Sequence, residues 1–139
     1  MYYFDFHTHA FVDAIAERAV ASLQKTSGIQ PATNGTVSGL SKLCRDCGIK
    51  KHLILPVATK PSQQTNINNW AAEIQGEDTY CCGSVHPDAE DVLDEIERIK
   101  SLGLCGVKLH PEYQLFYPDE EKMLPIYRKA AELGLFVVF

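Results

Sequence analysis

The sequence predicts an α/β chain of parallel strands, a partial (β/α)8 TIM barrel with about four βα units and the start of a fifth strand. Three observations carry this. Apolar runs and helical stripes alternate along the chain, divided by glycine or proline, and such alternation with short connections requires parallel strands joined by right-handed crossovers. The place after the first strand, where an open nucleotide-binding sheet carries a glycine-rich turn, is taken by His7-Thr8-His9. Four of the five histidines (His7, His9, His86 and His110) fall at carboxyl ends of predicted strands, the rim on which such barrels do chemistry.

The first element is residues 4–11. In an extended strand, side chains alternate faces, so His7 and His9 point the same way, about 6–7 Å apart, with Asp5 one step below them. Phe4, Phe6 and Thr8 point to the other side, which makes that side the packing face. Two imidazoles at this spacing can share one ion. The pair alone is more at home as two strand-end histidines bonded to backbone, since a catalytic zinc takes three protein ligands and water.

The remaining elements come in order. Residues 12–25 place Ile15, Ala19 and Leu23 at helical spacing. Residues 26–39 collect the Gly, Pro and Asn of a loop, and a second helix runs to Cys47 with Gly48 as its left-handed terminator. Residues 52–57 form a continuous apolar run suited to a strand covered on both faces. Pro61 opens a helix with Ile67, Trp70, Ala71 and Ile74 on one stripe, closed by Gly76. Residues 80–86 are the third strand. Asp88 is the expected N-cap of a helix that buries Val92, Ile96, Ile99 and Leu102. Residues 104–110 are the fourth strand, with an aromatic-rich loop after it. Pro125 restricts the next helix to about residues 124–133, and residues 135–139 open a fifth strand.

A net charge of -5 and a pI near 5.5 leave no basic field for nucleic acid or an anionic membrane. The chain opens directly into strand residues, and no apolar run approaches the ~20 residues of a membrane span, so a cytoplasmic protein is expected. The five cysteines are scattered without a disulfide framework. Reduced thiols are expected, and Cys44-Arg45-Asp46-Cys47 reads as a helix end rather than a metal or redox motif.

On the fourth strand, alternation puts Gly106, Lys108 and His110 on one face. Lysine directed into a barrel mouth must find an anion, a carbonyl or a carbamate. Each of His86 and His110 precedes a proline, which ends a strand cleanly, so a structural role for these His-Pro pairs stands beside a functional one.

Asp5-Phe6-His7-Thr8-His9 together with Gly106-Val107-Lys108-Leu109-His110-Pro111 and Tyr113-Gln114 resembles the amidohydrolase superfamily, specifically the amidohydrolase-related metal-dependent TIM-barrel hydrolases and their decarboxylase relatives. The likeness runs over essentially the whole chain. It implies a divalent metal, usually zinc, held by the first-strand histidine pair, a histidine ending the fifth strand and an aspartate ending the eighth. Such an ion lowers the pKa of bound water to about 7 and polarises a carbonyl. Carried onto this sequence, His7 and His9 are metal ligands, Lys108 and His110 are catalytic residues lining the site, and His86 contacts a small-molecule substrate.

The resemblance also implies what is missing. A complete barrel takes about 250 residues, so residues 1–139 are expected to be one domain, the amino-terminal half of such an enzyme, with two of four ligands and little activity. An unpaired apolar fifth strand predicts homo-oligomers through open sheet edges. The expected function is metal-dependent hydrolysis of a C–N or C–O bond in a small carbonyl compound. A non-catalytic β/α assembly and a metal-dependent decarboxylase are the alternatives.

Overall fold

The computed structural model describes residues 2–139. These form two compact units, one of residues up to Ile54 with Gly76–Tyr80, the other of Leu55–Gln75 with Cys81–Phe139. Strands and helices alternate and every strand pair with a described register is parallel.

In the first unit, β1 (Tyr3–Thr8) and β2 (Ile49–Ile54) pair with Asp5 opposite His52 and Thr8 opposite Ile54. Between them run α1 (Asp13–Ser27) and α2 (Val37–Asp46). Thr36 starts α2 by accepting the Gly39 N–H at 3.0 Å, and Gly48, at φ 73°, turns the chain out of it as the sequence predicts. The expected stripe on α1 is not its buried one. Ile15 and Leu23 are exposed and Ala16 is buried instead, because the loop strand at Gly35 lies against that face. There Phe11 donates its N–H to the Gly35 carbonyl at 2.8 Å, and a Cβ on Gly35 would collide with Val20.

The third expected strand is two: β3 (Thr79–Cys81) completes the sheet order β1-β2-β3, and β4 (Gly83–Ser84) begins a second sheet. A side chain explains why β4 is so short. Asn68 accepts the Ser84 N–H at 2.7 Å and donates to the Ser84 carbonyl at 3.0 Å, replacing one rung of a ladder.

The second unit carries that sheet, β4-β5-β6, with β5 at Gly106–Lys108 and β6 at Phe136–Val138. Gly83 pairs with Val107, and Ser84 pairs with Lys108, which in turn pairs with Val138. Two glycines show the two faces of this sheet. A Cβ on Gly83 would strike Ile99 of α4 (Val92–Ser101), whereas one on Gly106 would come within 2.7 Å of the Phe136 ring. Val107, in register with Gly83, therefore shares the helix-covered side, and Lys108 shares the side of Gly106.

Helix α3 (Gln64–Glu73) comes after a 3-10 turn at Pro61–Gln63. Its buried stripe is Gln64, Asn68 and Ala71 rather than the expected Ile67, Trp70, Ala71 and Ile74, since the amides serve strand and loop backbone. Asp88 does not cap α4, which begins three residues later than expected. Asp91 stands at its N-cap position, with its carboxylate accepting from Gln64 Nε2 at 2.7 Å. The aromatic-rich loop contains a short helix, α5 (Pro111–Gln114), and α6 (Leu124–Glu132) lies where Pro125 places it, at the second helical position.

Candidate functional site

In the first unit, His7 is in β1 and His9 lies one residue beyond it. Their ring centroids are 5.1 Å apart with planes at 68°, and both side chains are exposed, so the pair meets as the alternation predicts. Thr8, between them, is buried and donates its hydroxyl to the Leu53 carbonyl at 2.7 Å. That bond fixes the strand end from which both rings project. Asp5 accepts the His7 backbone N–H at 3.1 Å. The packing face expected of Phe4 and Phe6 is only half made: they are 46% and 50% exposed, with Phe4 resting 5.4 Å from Phe6 and 5.6 Å from Tyr80.

Two imidazoles are sound donors for zinc. Among the described residues, however, no group of three or more His, Cys, Asp or Glu side chains is placed to hold an ion. The donor chemistry fits a metal, and the donor number supplies half of a ligand set.

In the second unit, His86 comes after β4 and His110 after β5. The His86 backbone N–H donates to Gln64 Oε1 at 3.1 Å, and its Nδ1 accepts the Asp88 N–H at 3.2 Å. His110 is built alike. Its Nδ1 accepts the Tyr113 N–H at 3.3 Å, starting α5, and its ring stacks on Tyr113 at 3.9 Å and 4°. A neutral ring whose Nδ1 accepts carries its proton on Nε2, so each histidine is a turn cap on one edge and an N–H donor on the other. The structural and functional readings of the His-Pro pairs thus use different atoms of one ring.

Gln114, quoted above only as part of the family resemblance, has a role that sequence reasoning did not assign. Fully buried in α5, it donates from Nε2 to the Ala58 carbonyl at 2.7 Å and the Val85 carbonyl at 2.8 Å, and accepts the His110 N–H at 2.8 Å. One amide therefore fastens the segments that come after β2, β4 and β5. Its signal in the sequence was the Tyr113-Gln114 pair of that resemblance, four positions after His110, which says nothing of what the amide binds.

Lys108 ends β5 and is 1% exposed. Burial holds its ammonium below the usual lysine range, opposed by the neighbouring Cys82 thiol. Ser84, its partner in register, donates its hydroxyl to the Lys108 carbonyl at 3.0 Å and accepts the Ala58 N–H at 3.0 Å. Behind the sheet, Glu95 is buried among Asn68, Arg98 and Thr65. Burial pushes its carboxyl up, yet hydrogen bonds from Arg98 and Asn68 outweigh this and hold it below the ordinary range.

His52 and His86 give the molecule a pH dependence. Burial depresses both below the ordinary histidine range, with Asp5 and Asp78 drawing His52 back and Asp88 drawing His86 back. The unfolded chain therefore binds protons at about pH 6.5, before the folded chain does. Stability is undiminished above that pH and falls as pH drops through the window below it. A denaturant midpoint lower at about pH 5.5 than at about pH 7.5, with a smaller difference in His52→Gln, is the expected result.

The sequence profile of the amidohydrolases matches residues 55–139, well over half of the chain. The chain belongs to the amidohydrolase family. Two solved structures share the fold of this chain. A probable 2-pyrone-4,6-dicarboxylic acid hydrolase from Acinetobacter baumannii, with citric acid bound, superposes with a TM-score of 0.62 at 15% identity over 99% of this chain and 48% of its own. A Staphylococcus aureus protein assigned to the amidohydrolases gives 0.64 at 15% identity over 99% of this chain and 46% of its own. The amidohydrolase chain thus spans about half the length of these structures, and its α/β fold is that of the corresponding part of their barrels. A comparison with curated proteins finds no match. No helix among the described residues is long and apolar enough to cross a membrane.

Proposed function

We propose that this amidohydrolase chain carries part of the active site of a metal-dependent hydrolase acting on a C–N or C–O bond of a small carbonyl compound. The observation that supports this most is the meeting of His7 and His9 at the end of β1, rings 5.1 Å apart, in a chain of this family. His7 and His9 would hold a divalent ion, zinc being the first choice for a nitrogen donor set. When bound, such an ion supplies an acidified water and a Lewis acid for the substrate carbonyl.

The remaining roles belong to the protein. His86 and His110, each with its proton on Nε2, donate to substrate oxygens, and Lys108 contributes positive charge from the floor of β5. Gln114 holds the His110 backbone in place through its amide. Among the described residues the pair has no third His, Cys, Asp or Glu beside it. The protein is taken to work in the cytoplasm on a small molecule.

Zinc content measured after purification without chelator or affinity tag tests the reading. The wild-type chain is expected to retain zinc or to bind added cobalt with a visible ligand-field band. The His7→Ala/His9→Ala variant should bind about a hundredfold more weakly, the upper end of what losing even an outer-shell partner costs a site. Equal occupancy in the two proteins removes the proposal.

A further inference from the structure

Three of the five cysteines meet in the second unit, at the roots of β4 and β5. Cys81 and Cys82 are fully buried, whereas Cys105 is half-buried. Cys81 and Cys105 are level across the two strands: the Cys105 N–H donates to the Cys81 carbonyl at 3.1 Å, two steps before Gly83 pairs with Val107. Cys82 is one step further on, and unbroken alternation would turn it to the face away from Cys105. The chain leaves strand geometry at that residue, between β3 and β4, and the two thiols are in hydrogen-bond contact instead. Cys105 Sγ in turn donates to the Cys81 carbonyl at 3.2 Å. Strands ~4.8 Å apart with a rise of ~3.3 Å per residue set Cα atoms one step out of level about 5.8 Å apart, the commonest separation across a disulfide. The two sulfurs are near enough to bond, yet both thiols are free.

The pair is chemically asymmetric. Loss of the Cys105 proton leaves a sulfur anion that accepts from the Cys82 thiol, and this holds Cys105 below the usual thiol range against the effect of burial. Cys82, which gives that bond and is itself buried, is held high. Burial pushes Cys81 up to about 12. A buried cysteine is by itself a packing residue. A thiolate open to solvent on one side is attacked first by an oxidant, and a protonated thiol in contact with it captures the product.

We propose that Cys105 and Cys82 are a peroxide-responsive pair, with Cys105 as the thiol oxidised first and Cys82 as its resolving partner. In the first step the Cys105 sulfur attacks one oxygen of hydrogen peroxide and the O–O bond breaks. The departing hydroxide takes the proton that Cys105 gave up and leaves as water, and Cys105 becomes a sulfenic acid. In the second step the Cys82 sulfur displaces that hydroxyl, which leaves as water with the Cys82 proton, and the disulfide forms. The two thiols lose two electrons and the peroxide gains them. A small dithiol reverses the reaction by exchange. The cross-link closes a loop that includes α4 and ties the root of β4 to the strand that ends in Lys108.

The test adds hydrogen peroxide to the reduced full chain, blocks the remaining thiols by alkylation and maps the peptides by mass, with fragmentation to separate Cys81 from Cys82. The exposed Cys47 is the internal reference. The wild-type chain is expected to lose two of its five thiols, to show Cys105 joined to Cys82 before Cys47 reacts, and to recover both thiols in dithiothreitol. The oxidised form should unfold at a higher midpoint than the reduced one, because the closed loop constrains the unfolded chain. In Cys82→Ala the Cys105 sulfenic acid should accumulate and be captured by dimedone. In Cys105→Ala no disulfide should form, while Cys47 reacts as before, and Cys81→Ala should keep the disulfide. The wild-type map decides the matter even where a variant fails to fold. Cys105 still free when Cys47 is oxidised, a bond from Cys105 to Cys81, a Cys44–Cys47 bond in place of the expected one, or cross-links between molecules through Cys47 overturn the proposal.

Discussion

Arg98→Ala is expected to lower the unfolding free energy by about 3 kcal/mol, at the lower end of the range for stranding one member of a buried pair. The guanidinium gives Nε to Glu95 Oε2 at 3.0 Å and Nη2 to Glu95 Oε1 at 2.7 Å. Its remaining donors reach Asn69 Oδ1 at 2.7 Å and the Thr65 carbonyl at 3.0 Å. Arg98 itself is 31% exposed whereas Glu95 is 4% exposed, so the loss lies mainly in a carboxylate left behind without its cation. Asn68 Nδ2, at 2.6 Å, would still bond one oxygen, which is why the lower end applies. Because Glu95 is held below the ordinary carboxyl range in the intact protein, the stability it contributes is present above about pH 4.3 and is lost as pH falls through its folded value. Chemical unfolding at about pH 7 and about pH 3.5 checks both parts: the gap between wild type and Arg98→Ala should narrow in acid. A Lys at position 98 should recover little, since one ammonium cannot span two carboxylate oxygens and a carbonyl together.

Gln114→Leu is expected to cost about 3–5 kcal/mol, because it strands three buried backbone groups at once, each worth about 1–3 kcal/mol when left unpaired. The groups are the Ala58 and Val85 carbonyls and the His110 N–H. Gln114→Glu discriminates between bulk and bonding. It preserves shape and the acceptor for His110, yet sets an oxygen against two carbonyls, so it should be nearly as damaging as leucine. Denaturant midpoints measure the loss. The 1H–15N spectrum locates it, with the His110 amide moving furthest in Gln114→Leu and least in Gln114→Glu. Equal midpoints for wild type and Gln114→Leu would show that the segments after β2, β4 and β5 hold their places by other means.

The elements were legible because each is punctuated in the sequence. Gly48, Gly103 and Gly134 all take positive φ at the ends of α2, α4 and α6, and Pro125 sits where a helix can accept it. The meeting of His7 and His9 was legible for an equally local reason, strand alternation. What periodicity could not show is burial of polar groups. On α3 the buried face is Gln64 and Asn68 with Ala71, so a reading that tracks apolar residues selects the wrong stripe. The break between β3 and β4 escaped for the same cause, since nothing in residues 79–86 announces that a side chain from another element will occupy the backbone of Ser84. The side-chain geometry of the second unit shared this fate. Lys108, His86 and His110 were visible by type and position, but Gln114 acts only through contacts with residues up to 56 positions away.

The rung that Asn68 makes on Ser84 also bears on self-association. A sheet margin recruits a foreign strand by offering main-chain donors and acceptors in sequence. At Ser84 both are already engaged by an amide carried on a helix, so a second molecule would have to peel α3 from the sheet before it could zip on there. Any assembly of this chain through raw margins must nucleate somewhere else.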